Sequence, residues 1–201
     1  SYERDVRGLV DEVGTGVRLL RGALPPDDVV VEVVGIEYFT SETREKLEGT
    51  ALLKAQESLY KGLLLVPGDF SMLEKKEAQA GMTLAATSGK TLYVVKEYFD
   101  PSDRKQALRI LAHEYTHILQ YTYLEQPSIQ TEDELLAWTA FIEGEADLVA
   151  DLYMAEVTGE EFSLRIPLPP ETRPEGVDAG WALDQIFAFP YTYGENFVYQ
   201  L

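Results

Sequence analysis

Apolar residues recur along this chain with two different periods, and each change of period marks a new element. Val6, Leu9, Val10, Val13, Val17 and Leu20 fall at near-helical spacing and predict a helix over residues 3 to 22, although Gly8, Gly14 and Gly16 each lower its helical propensity. Val29 to Phe39 follows Pro25-Pro26, is rich in β-branched and aromatic residues, and predicts a strand. Thr40-Ser41 then offers a hydroxyl cap to one helical stretch through Leu47, Leu52, Ala55, Leu59 and Tyr60. Gly62 to Leu73 reads as an apolar connection interrupted by Pro67-Gly68. A Ser88-Gly89-Lys90 turn precedes the strand Thr91-Leu92-Tyr93-Val94-Val95.

The two strongest helical patterns come next. Pro101-Ser102-Asp103 supplies a break and a cap, after which Ala107, Leu108, Leu111, Ala112, Tyr115, Ile118 and Leu119 keep helical phase to about Leu124. Thr131-Glu132-Asp133-Glu134 has the form of a capping box and opens a second helix that runs to Gly159. Pro167 to Gly180 is rich in proline and glycine and reads as a loop, and the last twenty residues are aromatic. This order predicts an α+β fold, with a small mixed sheet built on the 29–39 and 91–95 strands and packed on the two long helices. A chain of 201 residues that is 45% hydrophobic suffices for one domain spanning 1–201, with an N-terminal extension over 1–62 and a core over 63–201.

Composition narrows the chemistry. With no cysteine, any metal must be held by His, Asp or Glu. Against 35 acids stand 17 bases, and the formal charge of −18 disfavours nucleic acid and anionic membrane surfaces as partners. No apolar run reaches the roughly 20 residues that span a bilayer. The start at Ser1 rather than Met gives the expectation of an exported or membrane-tethered protein with its leader trimmed, ahead of a cytoplasmic one.

His113-Glu114-Tyr115-Thr116-His117 is an H-E-x-x-H sequence in phase with the first long helix, so both imidazoles lie on one face, one turn apart. Glu114, about 100° around the helix, is placed to touch a metal-held water rather than the metal itself, which suits a general base in peptide or amide hydrolysis. Chance alone would produce the pattern in about one of every few hundred chains this size. The chain has no other histidine, so a third zinc ligand must be an acid. Phe141-Ile142-Glu143-Gly144-Glu145-Ala146-Asp147 puts acids in the middle of an apolar helix, where an unpaired charge is costly. Glu143 and Asp147 share a face that can present Glu143 to a metal and Asp147 to the free N–H of His113, while Glu145 points elsewhere. The alternative for these acids is a solvated helix face.

On these two stretches the chain resembles the gluzincin zinc metallopeptidases, whose first helix bears H-E-x-x-H and whose second bears a ligand Glu. It is more closely similar to uncharacterised prokaryotic proteins with H-E-x-T-H-x-L-Q followed by E-G-[DE]-A, matched here by His113 to Gln120 and by Glu143 to Ala146. A further match at Pro190-Tyr191, Gly194 and Phe197 extends the likeness over roughly residues 63–201. The resemblance implies a zincin-like fold, Zn2+ held by His113, His117 and Glu143, and Asp147 behind His113. It also implies a peptide or protein substrate laid along Leu92 to Val95 as edge strand. Two departures stand out: 25 residues separate His117 from Glu143, and no downstream histidine can steady an oxyanion. Tyr191 or Tyr193 can donate that hydrogen bond, or either can be ordinary core. Three readings follow: a zinc peptidase, a zincin-like domain that binds zinc and a peptide or protein partner without cutting, and a metal-free helical interaction domain.

Overall fold

The computed structural model describes residues 1–164 and 180–201, and among them the chain is α+β, with seven helices and a three-stranded mixed sheet. It forms two compact units. The first comprises Ser1–Val34, the described residues from Leu84 onward to 164, and Phe189–Leu201; the second comprises Gly35–Thr83 and 180–188. Residues 1–34 pack within the same unit as the H-E-x-x-H helix.

In the first unit, α1 (Tyr2–Arg21) buries Val6, Leu9, Val10, Val13 and Val17 and stops at Gly22, which is left-handed at φ 59°. Its glycines mark close approach rather than weakness. A Cβ on Gly14 would stand 2.6 Å from Cε2 of Tyr115, and one on Gly16 would strike the ring of Tyr153. The sheet has the order β1 (Val30–Val34), β3 (Thr91–Val95), β2 (Ala85–Ser88), with β1 parallel and β2 antiparallel to β3. Leu92 to Val95 is therefore the central strand and not an edge, which corrects the expectation: Leu92 and Val94 are fully buried, and both flanks of the strand are paired. The outer antiparallel strand is β2, joined to β3 by a two-residue turn with Gly89 at φ 61°.

The sheet packs on α5 (Arg104–Tyr123) and, through β1, on α1, while α6 (Glu132–Thr158) packs on α5 and α1. Asp103 caps α5 by accepting from the Gln106 amide, and the Thr131/Glu134 capping box of α6 is present with both its bonds. Gly159, left-handed at φ 70°, ends α6. The C-terminal aromatic stretch forms α7 (Trp181–Tyr199), whose residues from 189 onward belong to this unit.

The second unit holds α2 (Tyr38–Leu47), α3 (Ala51–Gly62), α4 (Met72–Ala80) and the start of α7 around Leu53, Tyr60, Val66, Met72 and Leu183. Three expectations are corrected here. The strand predicted to Phe39 ends at Val34, because the Tyr38 amide donates to the Gly35 carbonyl and turns the chain into α2. The single helix predicted to Tyr60 is two, parted where Gly49 takes φ 74° and Thr50 caps α3. The end of the predicted Gly62–Leu73 connection is already helical: Ser71 caps α4, which begins at Met72. Of the loop predicted over 167–180, all but Gly180 lies outside the described residues.

Candidate metal centre

The i, i+4 spacing on α5 brings His113 and His117 together, with their Nε2 atoms 3.1 Å apart. From α6, Glu143 Oε2 reaches 3.3 Å from His113 Nε2 and 3.6 Å from His117 Nε2. These three atoms form a compact triangle that can hold a metal ion. Ligands about 2.0–2.1 Å from a tetrahedral zinc stand about 3.3 Å from one another, the mean spacing of this triangle.

The neighbours of the triangle decide which lone pairs face it. His113 Nδ1 lies 3.2 Å from Asp147 Oδ1, which accepts its proton. His117 Nδ1 lies 2.7 Å from Gln120 Oε1. The Gln120 amide nitrogen donates to the Ile142 carbonyl at 2.8 Å and to Glu145 Oε2 at 2.9 Å, so its oxygen must face His117 and His117 must carry a proton on Nδ1. Both Nε2 atoms are left as acceptors, facing each other and a carboxylate. With both imidazoles neutral, three acceptors at 3.1–3.6 Å face one another, an arrangement that either a metal ion or a proton on Nε2 can satisfy.

Electrostatics agree. Burial works against a charge on His113, but its hydrogen bonds to Asp147 and Glu143 and the nearby Glu114 carboxylate prevail and raise it to about 10. Burial likewise opposes the charge on Glu143, and the two imidazoles outweigh it, bringing Glu143 to about 2. The pocket thus holds positive charge firmly even when that charge is a proton.

Behind each imidazole runs a chain of polar groups that leads from buried to more exposed positions. Behind His117, Gln120 leads to Glu145, whose Oε1 is 2.5 Å from Arg21 at the end of α1. Behind His113, Asp147 accepts from Arg109 at 3.0 Å, and Arg109 Nε donates to Asp151 at 2.7 Å. Glu195 of α7 is buried beside Asp151; burial first, then the Asp151 and Asp147 charges, push it up to about 7. Glu114 is buried with its carboxylate 2.9 Å from the Thr87 hydroxyl on β2. Thr116 is fully buried and bonds back to the Ala112 carbonyl, so it packs the helix.

The two tyrosines separate. Tyr191 leaves much of its ring exposed, but its hydroxyl engages Glu143, and desolvation of that hydroxyl followed by the Glu143 and Glu114 charges raises it above the ordinary tyrosine value. Tyr193 stacks on Phe189, with ring centres 5.4 Å apart. Tyr191 reaches the centre because α7 crosses α6 backbone to backbone: a Cβ on Gly144 would be driven into the Gly194 carbonyl carbon, and one on Gly194 into the Ala140 carbonyl oxygen.

Several of these groups carried no role in the sequence reading: Gln120, Glu145, Arg109, Asp151, Glu195 and Thr87. Helical phase was a usable signal for three. Gln120 lies one turn after His117, Arg109 one turn before His113, and Asp151 one turn after Asp147. Comparison of the chain with family models, with curated proteins and with solved structures finds no match.

Proposed function

We propose that this protein is a zinc-dependent metallopeptidase of the gluzincin type, with a zincin-like first unit. The observation that carries the reading is the triangle of His113 Nε2, His117 Nε2 and Glu143 Oε2, three acceptors turned inward by Asp147 and Gln120 with Glu114 alongside. The donor set fits zinc: two imidazoles with protonated Nδ1 and one carboxylate leave a fourth position open, as in catalytic rather than structural sites. Zinc bound there supplies Lewis-acid polarisation of a water and of a substrate carbonyl.

The remaining steps belong to the chain. Glu114 takes a proton from the attacking water at its carboxylate and returns it to the leaving amine. Tyr191, beside Glu143 and with its proton firmly held, is the donor available to a tetrahedral oxyanion; Tyr193, stacked on Phe189, is not assigned that role. The substrate backbone pairs with β2. The Val95 amide donates to the Leu84 carbonyl at 2.9 Å, and ladder alternation then directs the backbone groups of Ala85 and Thr87 away from β3, toward the open edge.

One observation favours a second reading, a zincin-like domain that holds zinc and grips a peptide or protein without cutting it: the Tyr191 hydroxyl engages a metal ligand rather than standing free. One set of measurements separates the two. Mass spectrometry of the native protein should give about one zinc per chain, lost in His117→Ala. Glu114→Gln should keep the zinc and lower peptide hydrolysis by about 100- to 10,000-fold. Zinc retained with no hydrolysis by the native chain selects the silent domain, and native protein that takes up no zinc defeats both.

A further inference from the structure

We infer that Thr87 is the positioning residue of the general base, tying the place of Glu114 to the strand on which a substrate would lie; the inference rests on the peptidase reading. A glutamate on a helix has three side-chain torsions, and a base must hold its carboxylate where the water will be. The Thr87 hydroxyl sits 2.9 Å from both Oε2 and the main-chain carbonyl of Glu114. It has one proton to give. The carbonyl lies inside α5 and has its helical partner four residues on, so the charged carboxylate is the stronger claimant. The bond crosses from sheet to helix over 27 residues of sequence, and β2 and α5 pack directly on each other, so it fixes the Glu114 side chain against a second rigid element.

Thr87 is also one of the two β2 residues whose backbone N–H and carbonyl face the open edge. A peptide pairing with that edge bonds to the main chain of the residue whose side chain holds the base. Register on the strand and the distance from base to scissile carbonyl are then set by one residue. The two roles use different atoms, and substitution separates them: removing the hydroxyl leaves the edge amide and carbonyl in place.

Thr87→Val keeps shape and β-branching and deletes the donor; Thr87→Ser keeps the donor. Both are compared with the native protein for zinc content, for kcat and KM on fluorescein-labelled casein, and for the Glu114 side chain in crystal structures. The expected result is zinc unchanged throughout and Glu114 displaced in T87V, with kcat down about 10- to 100-fold, the loss set by a hydrogen bond to a charged group. KM should stay within about twofold, and T87S should restore kcat. Should T87V fail to fold, Thr87→Ala takes its place in the same comparison. Native kcat in T87V, or Glu114 unmoved, overturns the inference. If the zinc-loaded native protein leaves casein uncut, the peptidase reading fails instead, and the position of Glu114 in T87V alone decides whether Thr87 holds it.

Discussion

At the scale of single residues, what this site can hold depends on which nitrogen of each imidazole carries the proton, and groups outside the His113–His117–Glu143 triangle decide it. Gln120 is the clearer case. Its amide donates to Ile142 and Glu145, is 5% exposed, and has no freedom to flip, so His117 must donate to it and turn Nε2 inward. Gln120→Leu keeps the bulk and removes the acceptor. On the proposed zinc reading, zinc affinity should fall about 10- to 100-fold, the usual consequence of losing such a partner, with the fold retained. Competition with a chromophoric chelator measures it, and unchanged affinity would show that the amide does not orient His117. Gln120 stood within the motif, but sequence alone offered no reason to give it a partner, since Ile142 and Glu145 meet it only once α5 and α6 are packed. Thr87 was less legible still: nothing in a four-residue strand indicates that one hydroxyl faces a glutamate 27 residues away.

At the scale of elements, helices with strong local signals were legible and their encounters were not. Capping residues and apolar phase located α5 and α6, because Asp103, Thr131, Glu134 and Gly159 act within a few residues of themselves. Sheet order is a long-range property, and β3 came out central because β1, about sixty residues earlier, pairs with its other flank. Glycines misled for the same reason: Gly14 and Gly16 look like helix breakers until Tyr115 and Tyr153 are packed on them. The Gly144–Gly194 crossing is the sharpest instance, and it brings Tyr191 and Glu195 to the centre. Gly144→Ala would force backbone apart on both sides, with no flexible side chain to yield, at a cost of about 3 kcal/mol. Gly8, exposed on α1 with nothing within 4 Å of an added Cβ, is the control of opposite sign, and Gly8→Ala should stabilise by about 0.5–1 kcal/mol. Urea denaturation of the two variants checks both signs. A neutral Gly144→Ala would mean that the helices do not meet there.

At the scale of the whole molecule, a chain with 35 acids and 17 bases gains negative charge as pH rises, and its stability profile sums over many groups. One group can be isolated. Glu195 is 5% exposed and raised to about 7, by burial first and then by Asp151 and Asp147, whereas in the unfolded chain it returns to the ordinary glutamate value of 4.5. Between those values the folded protein binds a proton that the unfolded chain has released, so folding is favoured by low pH. That contribution is complete below 4.5 and is lost as pH rises through about 7. Its size is about 3 kcal/mol at most. Glu195→Gln fixes the neutral form at every pH and leaves the other acids as they are, so the difference between native and variant cancels their common background. Urea denaturation in EDTA from pH 4.5 to 8 should show the native protein losing ground to the variant up to about pH 7 and holding level above it. A difference that stays flat across that range would place Glu195 in contact with water, and with it the α6–α7 crossing that carries both Glu195 and Tyr191 would have to be redrawn.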